Sequence, residues 1–417
     1  MTAGLSDIYG RSERVLEAQR KRFQKTMSRF KAFFGGAANR FFSAPGRTEI
    51  GGNHTDHNQG LVLAASVNLD AIAAVRKRPS RTLTVFSEGY AEPFIVDLSD
   101  LSAKKQEAGT TTALLRGIAA RFVELGYAVG GLDAFLSSEV LPGSGLSSSA
   151  AIEVLVATIL NGLYNGGKIP PETIATIGQF AENTYFGKPC GLMDQMASAV
   201  GGAIKLDFAF PDRTKIEKIS LNLEPFGYSM LIVNTGGSHA NLTSYYAAIP
   251  AEMKKVAGFF GKKVLREISR SDVLEQIGAL REAVGDRAVL RALHFFEENE
   301  RVRRQADALK AGQFARFLEE IRDSGNSSWK WLQNVTAPQN PQEQGLALAL
   351  ALTEDFIRQV GEGACRVHGG GFAGTIQVFL PRKAVGNYRR LMEGIFGKGT
   401  VLTLSIRPIG ATEVSPD

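Results

Sequence analysis

Glycine and serine are concentrated in the stretch LPGSGLSSSAA, residues 141–151. Glycines let a backbone approach a ligand closely, and a helix that begins directly after them points its unpaired N–H groups and positive dipole end at whatever the loop holds. Ser147, Ser148 and Ser149 stand at that junction, where serine can cap a helix, bind phosphate oxygens or coordinate Mg²⁺. An ordinary turn is the alternative, but three serines after Pro-Gly-x-Gly favour a phosphate-binding loop.

A second cluster of polar groups occupies residues 48–60, TEIGGNHTDHNQG. His54, Asp56 and His57 are potential metal ligands, but H-x-D-H on an irregular loop is a weak metal pattern, and no second cluster supplies more ligands. A polyhydroxylated substrate requires many short donors and acceptors together with a carboxylate. The loop therefore suits such a substrate better than a metal ion.

Asp194 follows the glycine-led segment GKPCG, residues 187–191, and has apolar neighbours. An acid in this setting is a candidate general base. A helix N-cap or a buried ion-pair partner is the structural alternative, and both are more common for an isolated aspartate. The role of Asp194 therefore depends on what surrounds it.

A third glycine-rich run, RVHGGGFAG at residues 366–374, contains G-x-G-x-x-G. A dinucleotide-binding fold requires a helix after that motif. Residues 375–380, TIQVFL, have a strand pattern instead, so a dinucleotide site is rejected. A glycine-rich turn that approaches a ligand or another loop remains.

Length and composition describe a globular protein of two domains. The chain has 417 residues, of which 44% are hydrophobic and 22% charged. The formal net charge of +6 suits a phosphate-bearing ligand, and without an RNA or DNA motif we expect no nucleic-acid partner. Two cysteines exclude a disulfide framework. No signal peptide or membrane-spanning stretch is recognisable, so we expect a cytoplasmic protein without a membrane partner, and we expect a monomer.

Hydrophobic periodicity predicts alternating strands and helices. Strands are expected at residues 40–43, 61–75, 82–87, 93–98, 132–140, 203–208, 230–234, 375–380 and, as the last strand, 401–406. Helices are expected at residues 11–34, 112–125, 150–162 and 171–184, and through most of 241–323.

Four polar or glycine-rich segments of the chain, in the order given below, resemble the motifs of the GHMP kinase superfamily. Residues 43–47 followed by 52–56, SAPGR and GNHTD, are similar to the galactokinase signature. Residues 141–151 resemble the family's phosphate loop, and CGLMDQ at 190–195 resembles the segment with its catalytic aspartate. Residues 366–374 resemble the third, glycine-rich motif. Order and spacing match from about residue 30 to 406.

This resemblance implies an α+β protein with the two-domain GHMP kinase fold. A ribosomal-S5-like N-terminal domain would span residues 1–215 and a ferredoxin-like C-terminal domain residues 216–417, with ATP and the sugar in the cleft between them. ATP and Mg²⁺ are the implied cofactors. Asp194 would be the base near the C1 hydroxyl of the sugar, with Arg47 beside it to hold it ionised and to stabilise developing charge. The reaction implied is phosphorylation of galactose to galactose 1-phosphate.

The resemblance also assigns binding residues. The nucleotide would contact Gly143, Ser144, Gly145, Leu146, Ser147, Ser148 and Ser149. The metal ion would contact Ser149 and Glu182. The sugar would contact Asn53, His54, Asp56, Gly191, Asp194 and Tyr246.

The chain departs from the galactokinase signature at three positions. Asn53 replaces the glutamate that contacts the C6 hydroxyl of the sugar in the family, Glu49 stands where the family has asparagine, and His57 where it has tyrosine. Sugar choice is therefore open to a galactose relative such as a uronic acid or an amino sugar. A non-catalytic sugar sensor on the same fold is a third reading, against which the presence of Asp194 and Arg47 speaks.

Overall fold

The computed structural model describes residues 2–140, 143, 145–210, 213–237, 242–339 and 341–416. Its strands are β1 (Thr2–Gly4), β2 (Arg40–Gly51), β3 (Leu61–Lys77), β4 (Thr82–Ser87), β5 (Phe94–Asp97), β6 (Leu132–Ser138), β7 (Ala203–Asp207), β8 (Lys215–Ile219), β9 (Tyr228–Asn234), β10 (Ala364–His368), β11 (Thr375–Pro381), β12 (Val401–Leu404) and β13 (Thr412–Ser415).

The helices are interspersed with these strands in the first half of the chain and are more numerous than the strands in the second half. They are α1 (Leu5–Tyr9), α2 (Glu13–Phe34), α3 (Thr111–Glu124), α4 (Ser148–Tyr164), α5 (Pro171–Phe180), α6 (Met193–Val200), α7 (Thr243–Phe259), α8 (Arg270–Glu275), α9 (Ile277–Val284), α10 (Asp286–Lys310), α11 (Phe314–Ser327), α12 (Gly345–Val360) and α13 (Arg382–Phe396). Every helix among the described residues is too short or too polar to traverse a lipid bilayer.

The larger sheet is organised around β3, which pairs with β2, β6 and β7. Successive side chains of a strand point to opposite faces, and β3 shows this clearly. Ala73 and Val75 belong to the main core with α3–α6, whereas Ile72 and Ala74 pack in smaller clusters with residues of α2. Because both faces of β3 are covered, its sequence is almost continuously apolar.

The smaller sheet has the antiparallel order β10-β11-β9-β12. In β9, Met230 and Ile232 join the main core that includes the larger sheet, whereas Leu231 and Val233 pack in a cluster with residues of α12 and α13. A continuous apolar core therefore links the two sheets. The predicted boundary after residue 215 stays a prediction, and β8, which begins at Lys215, pairs with β7 of the larger sheet.

Three sequence predictions need correction. The strand predicted at 40–43 is longer than expected, because β2 runs through Pro45 to Gly51 with a register irregularity between Pro45 and Arg47. A bulge tolerates proline, which has no N–H to give to the ladder. The helix predicted at 171–184 changes after Phe180 into a π-helix, Ala181–Phe186. The last strand is β13, which follows the predicted one and returns to pair with β2.

Candidate active site

The side chains of Arg47 and Asp194 form a two-point ion pair where β2 meets α6. Arg47 Nε donates to Asp194 Oδ1 at 2.6 Å, and Nη2 donates to Oδ2 at 2.9 Å. Arg47 Nη1 also donates to the carbonyl of Gly145 at 2.5 Å, and the Ser147 hydroxyl donates to Asp194 Oδ2. The structure thus brings the predicted base, its predicted cation and the phosphate loop into direct contact.

Asp194 is ionised in this environment. Burial by itself raises the pKa of its carboxyl, but the charge and hydrogen bonds of Arg47, together with the Ser147 hydrogen bond, more than offset this and hold the pKa below its usual range. Asp194 lies in the first turn of α6, where the positive end of the helix dipole also favours a carboxylate. About 31% of the side chain remains exposed, so its oxygens are accessible to a ligand.

The phosphate loop is held from two sides. The Arg47 N–H donates to the Leu146 carbonyl at 3.0 Å, and the Leu146 side chain is fully buried. Gly145 has φ +71°, and a Cβ there would lie 2.3 Å from Oγ1 of Thr375, which directly follows the third glycine-rich motif, so only glycine fits. Ser147 caps α4 in the left-handed conformation, with φ 58°. Ser144 lies outside the described residues, and Gly143 is exposed.

The N-terminus of α4 and the π-helix supply a hydroxyl and a carboxylate. Ser149 Oγ donates to Glu182 Oε1 at 3.3 Å, and Glu182 is only 3% exposed. Lys188 Nζ also reaches Glu182 Oε1, at 3.3 Å. A hydroxyl and a carboxylate oxygen beside a phosphate site are hard oxygen donors of the type that Mg²⁺ binds. No group of three or more metal-binding side chains occurs among the described residues.

His54 and Tyr246, both predicted to contact the sugar, lie against the third glycine-rich motif. His54 Nε2 is 2.9 Å from the Gly370 carbonyl, and burial lowers the pKa of its imidazole to about 3. The ring is therefore neutral, and Nε2 carries the proton that this bond needs, which leaves Nδ1 as an acceptor. Tyr246 donates its hydroxyl to the Gly371 carbonyl at 2.9 Å.

Asp56 and Gly191 meet each other directly. A Cβ on Gly191 would lie 1.6 Å from Asp56 Oδ2, so the contact requires glycine. Asp56 accepts a hydrogen bond from the backbone N–H of His57 at 2.9 Å, which fixes its carboxylate. Because α6 begins at Met193, this contact joins the sugar-signature loop to the element that carries Asp194.

Asn53 is 1% exposed, and its side-chain amide is bonded to protein. Its Nδ2 donates to both carboxylate oxygens of Glu49, at 2.9 and 3.2 Å, and to the Gly369 carbonyl at 2.8 Å. Its Oδ1 accepts from Asn334 Nδ2 at 2.8 Å. Glu49 in turn forms a buried ion pair with Arg366 on β10, at 2.6 Å. Both hydrogens of the amide are thus used within the protein.

Glu153 and Lys188 belong to the site but were missed by the sequence reasoning. Glu153 is fully buried, four residues after Ser149, and therefore on the same side of α4. It is the one charged residue in the sequence of α4, and an acid in an otherwise apolar helix is a signal that could have been noticed. Lys188 offered no such signal, since its approach to Glu182 depends on the π-helix.

Comparison with known proteins decides the family. Residues 28–77 match the family model described as the galactokinase galactose-binding signature, and residues 113–202 match the GHMP kinases N terminal domain. A galactokinase of Streptomyces coelicolor is 31% identical over 374 residues, which cover 88% of this chain and 91% of that protein. The chain belongs to the galactokinase family.

Solved structures agree with this membership. The crystal structure of Lactococcus lactis galactokinase complexed with galactose matches 94% of this chain and 99% of its own, with a TM-score of 0.80 and 25% identity. Methanococcus jannaschii mevalonate kinase matches 88% of this chain and 98% of its own, with a TM-score of 0.62. At 14% identity the second match shows the fold alone. The predicted α+β GHMP kinase fold is confirmed.

Proposed function

We propose that Asp194 and Arg47 carry out the chemical step of the reaction that family membership defines, the ATP-dependent phosphorylation of galactose. Asp194 accepts the proton of the C1 hydroxyl while O1 bonds to the γ-phosphorus of ATP and the bond to the bridging oxygen of ADP breaks. Arg47 stabilises the charge that develops around this centre. A carboxylate with a low pKa suffices, because phosphoryl transfer depends mainly on positioning and charge neutralisation.

The nucleotide belongs at the N-terminus of α4 in this proposal. Backbone N–H groups of the first turn and the positive dipole end face a loop of small residues, which is a ready site for phosphate. Gly143, Gly145 and Ser147–Ser149 line that loop. A bound Mg²⁺ would contact Ser149 and Glu182 and would neutralise phosphate charge. ATP as the phosphoryl donor fits both the loop and the family.

The sugar lies on the other side of Asp194, against the signature loop and the third glycine-rich motif. His54 Nδ1 and the Asp56 carboxylate provide acceptors for sugar hydroxyls, and Gly191 and Tyr246 complete the surface. Asn53 supports this surface from behind, because its amide ties Glu49 to the Gly369 carbonyl. Asn53 therefore influences the choice of sugar indirectly, through the positions of Glu49 and Gly369.

We also propose a monomer in the cytoplasm. Cys190 and Cys365 are both free thiols, which suits a reducing compartment. Light scattering on the purified protein measures the oligomeric state directly.

The observation that carries the mechanism is the two-point contact between Arg47 and Asp194 beside the phosphate loop. Replacing Asp194 by Asn keeps the shape of the side chain but removes the proton acceptor, and loss of a general base typically costs roughly 10²–10⁴-fold in rate. We expect galactose-dependent ADP release to fall by that factor while the circular dichroism spectrum is unchanged. Turnover close to that of the unmodified protein would refute the assignment of the base.

A further inference from the structure

Gln195 is a buried amide that bridges two carboxylates from different elements. Its Nε2 donates to Glu182 Oε2 at 3.0 Å and to Glu153 Oε2 at 2.9 Å, and Gln195 itself is fully buried. The same Nε2 also lies 3.7 Å from Cys190 Sγ, a weak acceptor, so the two carboxyl oxygens are the main acceptors of its two hydrogens. The amide on α6 therefore ties the π-helix carboxylate to α4.

The orientation of this amide is fixed by its surroundings. If the amide were reversed, its oxygen would face Glu182 Oε2 and could accept only from a protonated Glu153, so the hydrogen bond to Glu182 would be lost. In the described part of the chain, Gln195 Oε1 and Glu153 Oε1 are buried without a hydrogen-bond partner. An arrangement that leaves two acceptors unpaired is costly, and such groups in a native protein call for an explanation.

Glu153 anchors the amide from α4 through a fully buried carboxyl oxygen, 2.9 Å from Gln195 Nε2. Burial and the negative charges of Glu182 and Asp194 raise the pKa of Glu153 well above its usual range. Glu182 Oε1 accepts from both Lys188 Nζ and the Ser149 hydroxyl, each at 3.3 Å. The Glu182 oxygen that is not bonded to Gln195 therefore faces Ser149 and Lys188.

We propose that Gln195 is a positioning residue that sets the orientation of the Glu182 carboxylate, with Glu153 as its anchor. Donation to Oε2 turns Oε1 toward Ser149 Oγ, on the side of the phosphate loop. Because Gln195 directly follows Asp194 on α6, the same helix turn positions both the base and the metal-facing acid. The inference rests on the proposed metal contacts of Ser149 and Glu182.

The test is isothermal titration of ADP with Mg²⁺ and with EDTA, which gives the gain in ADP affinity that the metal provides. Met is unbranched and close to Gln in size, so Gln195→Met removes the donated hydrogen bonds with little change in volume. Loss of an outer-shell partner typically lowers metal affinity by about 10–100-fold. We expect the Mg²⁺-dependent gain in ADP affinity to decrease by about that factor in Gln195→Met, while the affinity for galactose stays constant.

Gln179→Met is the matched control. Gln179 lies on α5 at the same corner, and its amide donates to the Cys190 carbonyl at 3.2 Å instead of to a carboxylate. This variant is expected to keep the full metal-dependent gain. Glu153→Gln keeps an acceptor oxygen for the Gln195 amide and is expected to retain most of the gain, whereas Glu153→Met is expected to lose it.

Glu182→Gln distinguishes the proposed contact of Glu182 with the metal ion from the proposed positioning role of Gln195. If Glu182→Gln leaves the metal-dependent gain intact, the proposed metal contact fails, and with it the basis of the inference. If Glu182→Gln abolishes the gain but Gln195→Met retains it, the positioning role alone is overturned. If Gln195→Met does not fold, Glu153→Met provides the test. An unchanged Mg²⁺-dependent gain in ADP affinity in Glu153→Met overturns the proposal.

Discussion

Replacing Arg47 by Met removes the guanidinium from Asp194 but keeps an unbranched side chain in its place. In the unmodified protein Arg47 and Ser147 hold the pKa of Asp194 below its usual range, so the carboxylate is ionised at neutral pH. Without Arg47 the desolvation of the site dominates and the pKa rises. The rate then falls as the pH is lowered through this raised pKa, so the acid limb of the pH profile moves to higher pH.

The size of the shift follows from the contact. An opposite charge within about 4–6 Å lowers the pKa of a carboxyl by roughly 1–3 units, and Arg47 makes two contacts, at 2.6 and 2.9 Å. Asp194 is 31% exposed, so solvent screens part of this interaction. The Ser147 hydrogen bond also remains. We therefore expect the acid limb to move up by about 1–2 units, equivalent to about 1.4–2.7 kcal/mol.

The assay is kcat/KM for galactose between pH 4 and 8, with ADP quantified chromatographically so that no coupling enzyme limits the range. Arg47→Met also lowers the plateau value of kcat/KM, because the guanidinium no longer stabilises developing charge. The pH at which kcat/KM begins to fall is independent of that plateau value. Lys188→Met serves as the control, since Lys188 is a minor contributor to the pKa of Asp194 and should move the limb less. The unmodified protein should show no acid limb above pH 4, and a profile in Arg47→Met that is equally flat would show that Asp194 is not the group that titrates.

Two further variants test the surroundings of the sugar site. Asn53→Glu places a second carboxylate beside buried Glu49, which costs roughly 4 kcal/mol for two charges about 4 Å apart at an effective dielectric constant near 20. We therefore expect the urea concentration at the unfolding midpoint to fall, and to recover in part when Glu49→Asn is added. If the effects of the two substitutions on that midpoint simply add, the two carboxylates do not interact. Gly191→Ala drives a methyl group into the Asp56 carboxylate, where the Cβ would lie 1.6 Å from Oδ2. We expect a higher KM for galactose with unchanged ADP affinity, and an unaltered galactose KM would argue against this contact.

The long periodic elements were predictable from the sequence because local pattern and tertiary environment agree. The predicted helix at 11–34 is α2, and the predicted strand at 61–75 is most of β3. Their apolar residues recur at the helical or strand period, and each apolar side faces a core cluster. The position of Arg47 beside Asp194 was implied by the family resemblance, whereas the contacts of both residues with the phosphate loop appear only in the structure.

Other features depend on contacts between distant parts of the chain. The periodicity of residues 171–184 runs on without a break, so nothing local announces the π-helix that carries Glu182. β8 and β13 are short and rich in charged or polar residues, and they are strands only because β7 and β2 offer them edges. Asn53 stands at a sugar-contact position of the signature, but its partners Asn334 and Gly369 lie far away in sequence. Its burial could not be foreseen from local pattern.

The return of β13 to the larger sheet has a consequence for synthesis on the ribosome. Thr2 of β1 pairs with Glu413 of β13, so at roughly 5–20 residues per second the first strand waits on the order of 20–80 s for its partner to be translated. The buried Asp70 carboxylate waits almost as long for Arg407, which reaches it at 2.8 Å. A nascent chain stalled before that arginine therefore holds a sheet with an open edge and an under-neutralised internal charge. The amino-terminal half becomes fully native only after the carboxyl terminus has left the exit tunnel.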